Sequence, residues 1–310
     1  MGERERDISI SIQKVRHVYK GGNPAINGMS LDIHTGLFGM LGPNGAGKST
    51  LMRIICSLLV PTEGRVIVGG HDVVKERRHV RRLLGYLPQD FNAWRLHRVE
   101  EVLGTLATLS GLENNSERRA RVAEILELVG LLDVSHRKVK SLSGGMVRRL
   151  GVAQALIHDP KILIVDEPTV GLDPEERIHF RQLMAKLGKD RIIILSTHIV
   201  GDLGAGCHDL ALIDRGRLEF RGSPEKLIAH AKGFVFEIHM EGNRAEPSDQ
   251  YEVVSQEQKL GRTIIRVVSR MGEIPDGAVP VDNPTLEEAY LAFMASNSVK
   301  QAVKGGEVQS

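Results

Sequence analysis

Aromatic residues make up only 4% of this 310-residue chain, tryptophan occurs once, as Trp94, and cysteine twice, as Cys56 and Cys207. The two cysteines stand far apart and away from any histidine cluster, which excludes a disulfide framework and any zinc-ligand spacing and leaves two reduced, partly buried thiols. Long apolar runs are also missing. A spanning helix needs about 18 consecutive apolar residues, and the richest runs here, Ile162 to Val165 and Ile192 to Leu195, have strand length. If a membrane matters, another chain must span it. No charge sign prevails, with 41 Lys+Arg against 39 Asp+Glu, so no global field marks an obligate nucleic-acid binder. The charged start, Gly2 to Asp7, lacks a signal-type apolar core and predicts a protein that stays in the cytoplasm.

What is present is organised in blocks. Ile8, Ile10 and Ile12, then Leu31 and Ile33, alternate with polar residues and read as half-buried antiparallel strands. Leu37 to Leu41 is a short apolar strand, followed by a Gly-rich loop and a helical pattern at Leu51, Ile54, Ile55, Leu58 and Leu59. From about 92 to 158 helical periodicity dominates, which predicts a helical subdomain inserted into the core. Ile162 to Asp166 and Arg191 to Ser196, separated by a helical pattern over Arg177 to Leu187, are expected to be buried parallel strands. Composition changes near residue 233. Three strand-like runs follow, and Thr285-Leu286-Glu287-Glu288 has the form of a capping box that starts a last helix. The expected division is a main domain over 8–232, a small α+β domain over 233–296 and a disordered tail over 297–310.

Gly42-Pro43-Asn44-Gly45-Ala46-Gly47-Lys48-Ser49-Thr50 fits the phosphate-loop pattern. Its glycines let backbone N–H groups turn in around phosphate oxygens, and the helix that follows adds its positive end. Lys48 can reach the terminal phosphates, and Ser49 can offer a hydroxyl to Mg2+. Asp166 and Glu167 close an apolar strand at its carboxyl end, where ligands of open α/β sheets bind. Asp166 is a candidate Mg2+ ligand and Glu167 a candidate base for an attacking water. Alone, that pair also reads as a solvated acidic turn.

Leu142-Ser143-Gly144-Gly145-Met146 is the most telling element, because together with the other two motifs it resembles the signature of ATP-binding cassette (ABC) transporter subunits. The resemblance covers roughly residues 8 to 230 and implies a P-loop ATPase core with an antiparallel β subdomain and an inserted helical subdomain. It implies ATP and Mg2+ as cofactors and a head-to-tail dimer with a second ABC ATPase subunit, so that Ser143, Gly144 and Gly145 meet the partner's ATP. Gln89 matches the family's glutamine loop at the metal and the attacking water. Gly171-Leu172-Asp173 matches the loop that communicates across the dimer, His198 the switch histidine at the γ-phosphate, and Tyr19 the aromatic ring against adenine. Taken singly, Gln89 and His198 are ordinary loop residues and Tyr19 an ordinary strand aromatic. Their order along the chain is what joins them.

Met146 replaces the glutamine that many members carry, and Thr169-Val170 precedes Gly171. Both features, with Pro284 to Leu291, resemble the export branch. The implied partner is a separate integral-membrane permease, the implied place the inner face of the cell membrane, and Phe91 and Trp94 are candidates for docking a permease helix. The basic run Lys75, Arg77, Arg78, Arg81 and Arg82 has no interleaved aromatics, reads as a solvated helix face, and gives no reason to expect nucleic acid. Two rivals remain at this level: a soluble ABC ATPase acting on nucleic acid or ribosomes, and a non-hydrolysing regulatory module built around the 233–296 domain.

Overall fold

The alternating residues near the start of the chain become one antiparallel sheet. Strand β1 (Ile10–Val18) pairs with β2 (Pro24–Ile33), with Ile10 opposite Ile33 and Ile12 opposite Leu31. All four side chains point to one buried face, as period-2 patterning requires. Strand β3 (Gly36–Leu41) leaves for a second sheet, and β4 (Glu63–Val68) returns to the other side of β1, with β5 (His71–Asp72) at its edge. A register shift follows Gln13, where Lys14 adopts φ 48°, and Gly64 sits against it so closely that a Cβ would lie 2.3 Å from the Lys14 carbonyl oxygen. Only glycine fits there.

The computed structural model describes residues 8–204, 206–241, 251–259, 262–270, 272–275 and 277–306. The chain divides into two units, Met1–Arg221 and Gly222–Ser310.

In the first unit the second sheet adds β6 (Leu84–Leu87), β7 (Ile162–Asp166), β8 (Ile192–Thr197), β9 (Cys207–Asp214) and β10 (Arg217–Gly222), in the order β10-β9-β3-β8-β7-β6. Strands β9, β3, β8, β7 and β6 run parallel. Every residue of β7 and β8 is buried, the state that continuous β-branched runs encode in a sheet covered on both faces. Helix α1 (Lys48–Ile55) follows β3, α2 (Arg77–Leu83) precedes β6, and α6 (Pro174–Leu187) crosses from β7 to β8. Between β6 and β7 lie α3 (Val99–Leu109), α4 (Asn115–Leu128) and α5 (Gly144–Leu156), which are the helical insertion expected from periodicity. The core joins the two sheets through α1: Ile10, Ile12, Ile33, Val66, Phe38, Met40, Leu51, Ile55 and Ile164 form one apolar cluster.

Helix α1 ends at Ile55, short of the Leu58 and Leu59 that continue its apolar spacing, because Ser57 turns to φ 57°. A left-handed residue cannot propagate a right-handed helix.

The second unit holds α7 (Pro224–His230), β11 (Val235–Glu241), β12 (Tyr251–Lys259), β13 (Arg262–Ser269), β14 (Ala278–Pro280) and α8 (Leu286–Gly306). Its sheet is antiparallel with order β12-β13-β11-β14, and Phe236, Ile265 and Val267 form its core. The capping box forms: Glu288 N–H donates to Thr285 Oγ1 at 3.2 Å, and Thr285 N–H to Glu288 Oε2 at 2.7 Å. Glu288 is buried and takes Arg266 Nη1 at 2.9 Å as its cation.

Two boundaries differ from the sequence reading. The division falls at Arg221/Gly222 and not at 232/233, because α7 packs on α8. The tail expected to be disordered from 297 is helical through Gly306, since Lys300-Gln301-Ala302-Val303-Lys304 contains mostly good helix formers and extends α8; residues 307–310 lie outside the described residues.

Candidate functional site

Strand order creates the site. Strands β3, β8 and β7 are neighbours, with Leu41 opposite Thr197 and Ser196 opposite Asp166, so the three segments that leave their carboxyl ends emerge side by side. These are the phosphate loop, the turn at His198 and the Asp166-Glu167 corner. Neighbouring strand ends of an open α/β sheet are where such folds bind ligands.

The phosphate loop wraps tightly. Gly47, the N-cap of α1, has φ 105°, and a Cβ there would lie 2.4 Å from the Ala25 carbonyl oxygen. Lys48 is buried, and its Nζ donates to the carbonyl oxygens of Gly42 at 2.6 Å and Pro43 at 3.1 Å. Nζ also lies 3.5 Å from Glu167 Oε1. Burial pulls the ammonium's pKa below its usual value, while Glu167 and then Asp166 oppose the shift.

Glu167 is held from three sides. Its backbone adopts φ 44°, a left-handed conformation that costs a non-glycine residue free energy and concentrates at functional positions. Its N–H donates to Ser196 Oγ at 3.2 Å, and its Oε2 lies 3.1 Å from His198 Nδ1. Ser196 Oγ in turn donates to Asp166 Oδ1 at 2.5 Å. One hydroxyl thus holds the Asp166 carboxylate and the Glu167 backbone together. Two carboxylates, 2% and 7% exposed, share one buried cation, Lys48. With Ser49, which lines the same cleft as Glu167, this hard-oxygen set with excess negative charge suits a hard divalent cation such as Mg2+.

A cleft of about 420 Å3 is lined by Tyr19, Ala25, Asn44, Gly45, Ala46, Gly47, Lys48, Ser49, Thr50, Gln89 and Glu167. The structure therefore brings together the phosphate loop, Gln89, Glu167 and Tyr19. The Tyr19 hydroxyl lies 3.2 Å from Thr50 Oγ1, which fixes the ring at the rim. His198 joins through Glu167.

Leu142, Ser143, Gly144, Gly145 and Met146 do not line this cleft. Ser143 caps α5, its Oγ accepting from Met146 N–H at 3.2 Å. That leaves the hydroxyl hydrogen and the first N–H groups of α5 available to an anion. Gly145 packs against Glu176 of α6, and a Cβ there would lie 2.4 Å from Glu176 Cδ. Arg149 Nη2 holds Glu176 Oε1 at 3.2 Å while Nη1 donates to the Val129 and Gly130 carbonyls. The loop at Gly171, Leu172 and Asp173 reaches α6 directly: Asp173 Oδ1 accepts from Glu176 N–H at 2.8 Å, and Leu172 is buried.

Sequence reasoning missed Ser196, Asp202 and the Arg149-Glu176 pair. The polar Ser196-Thr197 end on an otherwise apolar strand was the available signal for the first. Cys56 and Cys207 are both buried, and burial pushes the Cys56 pKa far up, which disfavours its reactive thiolate. Among the described residues one further set, His71, Glu76 and His79, brings ligand atoms within 4.8 Å of one another. Its two imidazoles stack with planes 15° apart, so their in-plane lone pairs run side by side and do not converge on one ion.

A phosphate loop, a buried carboxylate pair and a histidine on adjacent strand ends, with an inserted helical block, define a P-loop nucleotide-binding cassette. The chain belongs to the ABC transporter ATP-binding proteins. Residues 26–170 match the family described as ABC transporter. The chain is 36% identical over 229 residues to the Nod factor export ATP-binding protein I of Paraburkholderia xenovorans, covering 73% of this chain and 75% of that one. It is 37% identical over 201 residues to the uncharacterized ABC transporter ATP-binding protein YxlF of Bacillus subtilis, 64% of this chain and 65% of that one. Among solved structures it resembles the dimeric post-hydrolysis state of the ATP-binding cassette MJ0796 bound to ADP and Pi, with a TM-score of 0.63, 28% identity, and coverage of 69% of this chain and 98% of that one.

Proposed function

We propose that this chain is the Mg2+-dependent ATPase subunit of a membrane exporter, working as a dimer of cassettes at the cytoplasmic face of a separate permease. The carrying observation is the separation of the two phosphate-binding elements. The phosphate loop lines the cleft, whereas the anion-receptive start of α5 at Ser143 to Gly145 does not, so one chain offers two half-sites. The dimeric cassette with ADP and Pi supports pairing, and the relative named for Nod factor export supports the direction. Among the described residues no helix is long and apolar enough to cross a membrane, in keeping with a spanning partner.

In this reading Tyr19 borders adenine, and the loop from Gly42 to Thr50 wraps the phosphates. Lys48 gives up Glu167 for the terminal phosphates. Ser49, Asp166 and Gln89 would hold Mg2+, which supplies charge neutralisation at the phosphates. Glu167 accepts the proton of the water that attacks the γ-phosphorus as the bond to the ADP oxygen breaks, and His198, anchored on Glu167, contacts the γ-phosphate. Trp94 and Leu96, 47% and 71% exposed just after Gln89, are the proposed contact for the permease; Phe91, expected to be exposed beside Trp94, is instead half-buried with its ring against Gly151.

Two measurements decide it. Purified protein should release phosphate from ATP with Mg2+ and not with EDTA, and protein captured from detergent-solubilised membranes should carry a spanning subunit. Absence of Mg2+-dependent turnover removes the enzyme reading. Salt-sensitive capture of nucleic acid or ribosomes, with no membrane subunit, replaces the exporter reading with the soluble one.

A further inference from the structure

Asp202 is 3% exposed, lies in the single 3-10 turn Val200–Asp202 after β8, and belongs to none of the recognised motifs. Its Oδ2 accepts two hydroxyl hydrogen bonds, one from Thr169 Oγ1 and one from Thr197 Oγ1 at 3.1 Å. Both threonines are 1% exposed. Thr169 lies two residues after Glu167, and its carbonyl accepts from Leu172 N–H at 3.1 Å, which starts the turn into Gly171-Leu172-Asp173. Thr197 immediately precedes His198, and its Oγ1 accepts from Ile199 N–H at 2.9 Å, shaping the turn that carries the imidazole. A single carboxylate oxygen therefore ties the segment that carries Glu167 to the segment that carries His198.

We infer that Asp202 is a positioning residue that sets the Glu167–His198 relation and delivers it to the Gly171-Leu172-Asp173 loop. It rests on the ATPase reading for its kinetic consequence, but not for its structural one. The physical argument concerns tolerance. His198 is exposed and Glu167 holds an unfavourable backbone conformation, so their 3.1 Å contact cannot by itself fix two loops. A buried carboxylate is costly to leave in place unless its acceptors are used. Here two buried hydroxyls use it, and neither has water to turn to. Misplacing a reacting group by about 1 Å can cost a factor of about 100 in rate. Nucleotide contacts from Tyr19 and the phosphate loop do not pass through Asp202, so affinity should not follow.

The test compares Asp202→Ala with Asp202→Asn, whose amide oxygen keeps two acceptor lone pairs. The expected result is a kcat per nucleotide-binding site at least fivefold lower in Asp202→Ala, with KM for ATP within threefold of wild type, and recovery to within fivefold of wild type in Asp202→Asn. A kcat within fivefold of wild type in Asp202→Ala, or an Asp202→Asn as impaired as Asp202→Ala, overturns the inference. If Asp202→Ala does not fold, Thr169→Val and Thr169→Ser take its place, with the serine variant expected to retain the rate that the valine variant loses; equal rates overturn it. Amide hydrogen exchange on nucleotide-free protein separates this inference from the ATPase reading. Loss of the bracket, by Asp202→Ala or Thr169→Val, should speed exchange at 169–173 and 197–199 together. A change confined to one of the two segments overturns the inference even if the wild-type chain proves to hydrolyse no ATP.

Discussion

Glu167 Oε1 lies 3.5 Å from Lys48 Nζ, so the proposed base and the proposed phosphate-binding cation are paired with each other. Both are buried, and the pair together with the Gly42 and Pro43 carbonyls satisfies the ammonium in the place that phosphate oxygens would occupy. In the proposed reaction nucleotide entry would be an exchange of partners at Lys48, and the same contact would place a carboxylate beside the proposed γ-phosphate position.

Glu167→Gln should therefore act in two opposite directions. Losing the proton acceptor should lower kcat by a factor of about 100 to 10,000, the usual worth of a positioned base. Losing the negative charge frees Lys48 and removes repulsion at the γ-phosphate, so ATP should bind several-fold more tightly, and ATP-dependent dimers should persist on gel filtration. Turnover at the wild-type rate removes Glu167 as the base, and unchanged ATP affinity removes the partner exchange.

Gly145→Ala tests the contact between the start of α5 and α6. The added methyl would fall 2.4 Å from Glu176 Cδ and 2.8 Å from Cγ, and Glu176 cannot swing away without losing Arg149, which also braces Val129 and Gly130. Overpacking of this kind costs about 1–3 kcal/mol. In a Glu176→Ala background the clashing atoms are gone, so the same Gly145→Ala change should cost less than about 1 kcal/mol. Thermal unfolding of the four proteins in this cycle gives the coupling; strict additivity would show that the carboxylate is not what holds position 145 to glycine.

Much of the site was legible because its parts are written locally. A phosphate loop needs strand, glycines and helix in that order, and Leu37 to Leu59 spells them out; the strand ends at Asp166 and Thr197 are marked by polarity closing an apolar run. The capping box at Thr285 and Glu288 was legible for the same reason. What could not be read is non-local or conformational. Thr169 and Asp202 are 33 residues apart and meet only because β7 and β8 are neighbours, and no residue type announces the φ of 44° at Glu167. Helix α7 reads the same whether it packs on the first unit or on α8, and Leu58 and Leu59 continue a helical pattern that the backbone of Ser57 has already broken. Short amphipathic pieces carry their periodicity but not their partner.

His158 gives the stability a defined acid dependence. Its Nε2 lies 3.0 Å from the carbonyl oxygen of Leu84, the first residue of β6, so the ring donates there in its neutral form. Burial depresses its pKa below the ordinary 6.5, and Arg121 pushes the same way, against the weaker pull of the Leu84 carbonyl and Asp159. The sign follows from proton counts. Between the depressed folded value and 6.5 the unfolded chain binds more protons than the folded one, so stability is complete above about 6.5 and is lost as pH falls through that window. His158→Gln can keep the hydrogen bond to Leu84 and cannot titrate. Denaturant midpoints of the two proteins should nearly coincide at pH 7.5 and separate toward pH 5, with the variant losing less. The difference in slope should stay well under the about 1.4 kcal/mol per pH unit of one whole proton, because the ring is only half-buried and solvent screens it. Parallel pH profiles for the two proteins would show that the burial of His158 contributes nothing to acid sensitivity.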